Sequence, residues 1–136
     1  MTPSTPRGTR VSHIGIAVEA LAESLPFFRD VLGLPEIDLD DSDGAHIVGL
    51  SAGESLVELL EPGDAKSPIA RFLEKRGPGI HHICFAVDDL DATLERCRRA
   101  GIQLIDEKPR VGAEGKRIAF LHPKSTGGVL VELSDH

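Results

Sequence analysis

At 136 residues with a formal net charge of −7, the chain is long enough for one compact domain, or for two small modules sharing a core, and too acidic for phosphate-backbone binding. Hydrophobic residues make up 40% and charged residues 27%, an ordinary globular balance, and the absence of Trp and Tyr argues against a base-stacking surface. No apolar run approaches the roughly 20 residues of a membrane span, and the polar N-terminus lacks a signal-peptide core, so neither nucleic acid nor membrane is an expected partner and a cytoplasmic location is.

In chain order, residues 1–10 read as a disordered tail and residues 11–136 as a single domain. A strand opens at Val11 and runs through His13 to Val18. A helix follows, with Leu21, Leu25, Phe28 and Leu32 at helical spacing and Gly33 as its stop. Because Pro26 is tolerated only in a first turn, the regular helix is expected to begin near Glu23. Strands are expected near Glu36–Leu39, Ala45–Leu50 and Ser55–Leu60, completing a first module of about 11–62. Residues 63–79 form a linker whose helix is capped by Ser67 and begins at Pro68.

The second module, about 80–136, repeats the order. Its first strand contains His82, and its helix has Asp91 at the start, Leu90, Leu94 and Cys97 inward and Gly101 as the stop. Strands near Gln103–Asp106, Arg117–His122 and Val129–Leu133 finish it. Cys84 and Cys97 read as reduced core residues rather than a disulfide.

The two halves also share letters. His13-Ile14-Gly15-Ile16-Ala17-Val18 returns as His82-Ile83-Cys84-Phe85-Ala86-Val87, and Leu56-Val57-Glu58-Leu59 returns unchanged as Leu130-Val131-Glu132-Leu133. The fold class this implies is α+β, a pair of βαβββ modules. Strand alternation puts Gly15 and Ala17 beside His13, and Cys84 and Ala86 beside His82, so the histidine face is kept small and suits a cavity. His81, next to His82, is expected on the other face in a structural role.

A lone Glu in a strand usually faces solvent, and a lone His is usually a satisfied core or surface residue. Recurrence of both, in order, in both halves favours one shared site of His13, Glu58, His82 and Glu132. Two imidazoles and two carboxylates without a thiolate disfavour structural zinc. They suit an octahedral divalent ion with two open positions, with Co²⁺, Mn²⁺, Ni²⁺, Zn²⁺ and Fe²⁺ as candidates.

These residues resemble the vicinal oxygen chelate (glyoxalase/bleomycin resistance/dioxygenase) superfamily, and within it the methylmalonyl-CoA epimerase family. The stretches that carry the resemblance include VSHIGIAV from Val11, SPIARFL from Ser67, GIHHICFAV from Gly79 and IAFLHPKSTGGVLVEL from Ile118. The HxGIAV opening is common to the superfamily, whereas SPIA and FLHPKSTGGVLVEL are specific. The resemblance implies a curved mixed β-sheet cup, a divalent metal, cobalt first, on His13, Glu58, His82 and Glu132, a CoA thioester substrate and a homodimer. It implies inversion at C2 of methylmalonyl-CoA by a 1,1-proton transfer through a metal-stabilised enolate, with Glu132 as one acid/base. The family's second cavity glutamate aligns with Ile47, which leaves His46 as a candidate base and an ordinary surface histidine as its bland reading. Lys124, Arg110 and Lys116, and less so Arg71 and Lys108, are candidate contacts for the CoA phosphates, each of which would otherwise be a solvated surface charge. Three alternatives use the same scaffold: a glyoxalase I-type lyase, a dioxygenase with two histidines and one carboxylate, and a metal-free small-molecule binding protein.

Overall fold

The computed structural model describes residues 8–136, so residues 1–7 of the expected tail lie outside the described residues. One eight-stranded sheet carries the fold. Its strands are β1 (Arg10–Ala17), β2 (Glu36–Asp38), β3 (Ala45–Ala52), β4 (Ser55–Pro62), β5 (Gly79–Val87), β6 (Arg110–Val111), β7 (Arg117–Leu121) and β8 (Val131–Asp135). They lie in the order β2-β3-β4-β1-β5-β8-β7-β6. β1 pairs with β4 in parallel, and β5 pairs with β8 in parallel. The antiparallel pair β1–β5 joins two halves of matching topology. The sheet is thus the expected mixed one, with the two histidine strands side by side at its centre.

Both histidines follow a bulge. Along the β1–β5 pair, Ser12 and His81 are the extra residues at the two register shifts, and they precede His13 and His82 at matching points of the repeat. A bulge adds local twist and re-aims the residues around it. His81 therefore lines the same cavity as His82 instead of pointing to the other face as alternation predicts.

Helix α1 spans Leu21–Leu25 and continues as a π-helical segment over Pro26–Val31, so Pro26 sits mid-helix rather than in a first turn. Proline donates no N–H, and the wider register accommodates the missing bond; the Leu32 amide reaches the Phe27 carbonyl at 2.9 Å. Helix α2 (Pro68–Arg76) is capped by the Ser67 side chain on the Ala70 amide, as expected from Ser67-Pro68. Helix α3 (Leu90–Arg99) is capped by Asp89, leaving Asp91 in the first turn. The strand expected near Gln103–Asp106 reduces to a single Leu104–Leu121 bridge, and the edge strand forms later, as β6.

The outer face of the sheet is apolar under α1 and α3, and α2 covers part of the concave face. Val18, Leu50 and Leu59 meet Leu21, Leu25 and Phe28 under α1, and Val87, Leu121 and Leu133 meet Leu90 and Leu94 under α3. A third cluster, Ala17, Ala45, Ile47, Leu60, Ile69 and Leu73, brings α2 against the first half. Leu94 is 1% exposed. Leu94→Ala is expected to destabilise the protein by about 2–5 kcal/mol in denaturant titration, because the cavity it leaves in a sheet–helix core closes only partly.

Candidate metal centre

The register of the sheet builds the site in two rows. Glu58, Gly15 and His82 are cross-strand neighbours on β4, β1 and β5, and Glu132, Cys84 and His13 are neighbours on β8, β5 and β1. Each row holds one Glu and one His from opposite modules with a small residue between them. All four polar residues are buried, at 3–6% exposure, on the concave face of the sheet.

The small residue is a steric requirement. A Cβ on Gly15 would run into the His82 ring, at 2.6 Å from Nδ1. Across the seam, His13 Nε2 lies 3.0 Å from His82 Nε2, His13 Nε2 lies 2.9 Å from Glu132 Oε1, and His82 Nε2 lies 3.2 Å from the same oxygen. Donors bound about 2.1 Å from a common ion at right angles are about 3 Å apart, so this triangle has the size of one face of a coordination octahedron. Glu58 stands at the other ring nitrogen, with Oε2 3.2 Å from His13 Nδ1, and its carboxylate, His13 and His82 are close enough together to hold an ion.

Three buried atoms of this cluster, His13 Nδ1, Glu58 Oε2 and Glu132 Oε1, make no aligned hydrogen bond. Buried polar atoms are nearly always satisfied, so this convergence fits a cation better than a closed polar core. Burial opposes charge on His13, yet contacts with Cys84, Glu114, Glu132 and Glu58 carry its pKa up to about 12. Burial pushes Glu58 up to about 8 against the pull of His13, with Glu114 and Glu132 adding to the rise. Burial would raise Glu132 too, but bonds to His13 and His82 hold it down to about 2. Protons on His13 and Glu58 thus offset the carboxylates of the metal-free protein, the electrostatic part that a divalent ion can take over.

Sequence reasoning missed Glu114. It lies in the glycine-rich turn between β6 and β7, read there only as a turn, and its Oε2 comes 2.8 Å from His13 Nδ1. Burial would raise its pKa, but His13, Glu58 and Lys116 keep it below the ordinary carboxylate range. His81 is the other addition. Its Nδ1 lies 3.0 Å from His82 Nδ1, and its ring meets Phe72 edge-on. With that nitrogen engaged, His82 keeps Nε2 for the centre, the arrangement by which a neighbouring group orients a ligating imidazole.

The cavity around these groups has a volume of about 500 Å³. Ile47, Leu60, Ile69 and Ala113 form apolar walls, and Arg110 and Lys116 lie along it. Arg110 is already engaged with Asp43 and Asp106 and stacks on Phe120. The structure does not bring His46 here: alternation along β3 turns Ile47 inward and leaves His46 exposed, with Nδ1 2.8 Å from Asp41. Lys124, on a short turn after β7, is exposed and outside the cavity, as are Arg71 and Lys108.

With fold and site described, comparison with known proteins is direct. A family model described as the Glyoxalase/Bleomycin resistance protein/Dioxygenase superfamily matches residues 12–120. The ethylmalonyl-CoA/methylmalonyl-CoA epimerase of Cereibacter sphaeroides is 39% identical over 130 residues, 91% of this chain and 96% of the relative. The crystal structure of methylmalonyl-CoA epimerase from Mycobacterium tuberculosis superposes with a TM-score of 0.88 at 37% identity, covering 99% of this chain and 91% of that one. A methylmalonyl-CoA epimerase in complex with methylmalonyl-CoA and NH4+ superposes with a TM-score of 0.89 at 36% identity, covering 93% and 94%. The chain belongs to the glyoxalase/bleomycin resistance protein/dioxygenase superfamily and, within it, to the methylmalonyl-CoA epimerase family. Among the described residues no helix is long and apolar enough to cross a membrane.

Two outcomes are expected. Gly15→Ala forces the His82 ring out of its row, so the variant should bind Co²⁺ at least 10-fold more weakly than the parent in equilibrium dialysis. Burial, with His82 adding, lowers His81 to about 4, below its unfolded value of about 6.5. Between these values the unfolded chain takes up a proton that the folded chain does not, so stability falls as pH drops through that window, by up to roughly 3 kcal/mol. Urea unfolding of metal-stripped protein from pH 7 to pH 4 measures this, and His81→Asn should flatten the slope.

Proposed function

We propose that the chain interconverts the 2R and 2S epimers of methylmalonyl-CoA by moving a proton at C2, with a divalent ion held by His13, Glu58, His82 and Glu132. The observation that carries the reading is the gathering of both repeat histidines and both repeat glutamates in one buried cluster around the His13 ring, in a chain 39% identical to an epimerase along nearly its whole length. When bound, the ion supplies Lewis-acid stabilisation to the enolate that forms once the C2 proton leaves. Cobalt(II) is the first candidate, because the donor set is two imidazoles and carboxylates without thiolate.

The chain's own residues divide the rest of the work. Ile47, Leu60 and Ile69 give an apolar wall for the methyl group. Arg110 and Lys116 lie along the cavity, positive charges suited to the anionic thioester. Glu132 stands beside both imidazoles with Oε1 facing them and serves as the proton carrier on one face of C2. No carrier stands at Ile47, so water admitted to the cavity serves the other face.

In D₂O with Co²⁺, either epimer of methylmalonyl-CoA is expected to epimerise with deuterium entering C2, followed by NMR. Glu132→Gln should lower both exchange and epimerisation by at least 100-fold. Turnover of the methylglyoxal–glutathione hemithioacetal with no exchange at C2 would move the protein to a glyoxalase I-type activity.

A further inference from the structure

Each histidine of the centre has a second ring nitrogen to place. His13 Nε2 and His82 Nε2 face each other and Glu132 Oε1, which leaves both Nδ1 atoms on the far edges of the rings. An imidazole that gives Nε2 to an ion carries its proton on Nδ1, and that N–H needs an acceptor. For His82 the neighbour at Nδ1 is His81, at 3.0 Å. For His13 two carboxylates crowd the one nitrogen, Glu114 Oε2 at 2.8 Å and Glu58 Oε2 at 3.2 Å, and neither is aligned on it. The two differ in what else they can do. Glu58 groups with His13 and His82 around a point that can hold an ion, whereas among the described residues Glu114 belongs to no such group. An ion that draws Glu58 to itself therefore leaves Nδ1 to Glu114.

The turn that carries Glu114 is built to keep it there. The Gly112 amide donates to the Lys116 carbonyl at 2.9 Å, and Gly115 closes the reversal at φ +77°, where a side chain would be strained. The Asp40 amide donates to the Ala113 carbonyl at 3.3 Å, and Ala113 packs on the cluster of Ile47, Leu60 and Ile69, so the turn is fixed to the opposite module. Lys116 Nζ lies 3.9 Å from Glu114 Oε1, on the other oxygen from the one that meets the ring.

We infer that Glu114 is the positioning residue of His13: its carboxylate accepts the Nδ1 proton, fixes the tautomer and keeps Nε2 aimed at His82 and Glu132. This role rests on the proposed metal site and extends it. Each candidate ligand imidazole then has a holder at Nδ1 that the sequence repeat does not supply, an imidazole for His82 and a carboxylate for His13. A carboxylate at Nδ1 makes the opposite nitrogen the stronger donor, so Glu114 also tightens the hold of His13 on the ion.

Proton NMR of the Co²⁺-loaded protein tests this without turnover. An imidazole bound through Nε2 shows its Nδ1–H as a hyperfine-shifted signal that disappears in D₂O. Wild-type protein should show two such signals, one each for His13 and His82. Glu114→Ala should lose one of them to fast exchange with water and keep the other, and should bind Co²⁺ about 10–100-fold more weakly in equilibrium dialysis. Glu114→Gln, whose side-chain oxygen still accepts a hydrogen bond, should keep both signals and lie between the two in affinity. Two signals in Glu114→Ala would overturn the role and hand Nδ1 to Glu58, with the metal site intact. Equal Co²⁺ affinity in wild type and Glu114→Gln would overturn it as well. If wild-type protein binds no Co²⁺ at all, the metal site and this role fall together.

Discussion

Two imidazoles and two carboxylates crowd into one buried cluster at the β1–β5 seam, and the rest of the structure is arranged around it. His13 Nε2, His82 Nε2 and Glu132 Oε1 stand 2.9–3.2 Å apart, too close to be comfortable without a proton or a cation among them. The sheet tolerates this because each His shares its row with a small residue, Gly15 or Cys84, and then a Glu from the other module. Bulges at Ser12 and His81 turn the two central strands so that both rings meet. Two of the apolar clusters lie on the outer face under α1 and α3, while on the concave face the cluster of Ile47, Leu60 and Ile69 walls one side of the cavity.

Much of this was legible in the letters, for a physical reason. Alternation with period two is nearly independent of context, so the faces of His13, Glu58, His82 and Glu132 followed from their neighbours, and the repeat showed that those faces meet. The cap at Ser67 and the stop at Gly101 were legible too, because local backbone demands fix them. What failed was whatever depends on a departure from regularity. Alternation puts His81 on the outer face, but the bulge, which an alternating pattern does not reveal, turns it into the cavity. Pro26 belongs in a first turn of a regular helix, and the π-helical segment lets it sit in the middle instead. Glu114 was invisible because a turn residue carries no periodicity, and its approach to Glu58 is a contact between modules.

The departures from symmetry are also where the chemistry becomes particular. The candidate metal donors of the first module have counterparts in the second, but Ile47 and Glu114 answer to no repeat. One turns part of the wall apolar, and the other adds negative charge beside His13. A duplicated scaffold can thus hold its centre constant while the surrounding residues, free of the repeat, set what that centre faces.

The turn that carries Glu114 has one more neighbour. Arg110, at the start of the same hairpin, pairs with Asp43 in the corresponding hairpin of the first module, at 2.9 Å, and both side chains are well exposed. Exposed pairs of this kind contribute about 0–1 kcal/mol, an amount that ordinary thermal motion and salt overcome. Where the two hairpin tips touch, this pair adds little to the Asp40–Ala113 hydrogen bond and the packing of Ala113 that already join the modules. Added salt is therefore expected to loosen only this rim of the cavity, while the strands that hold the histidines stay in register.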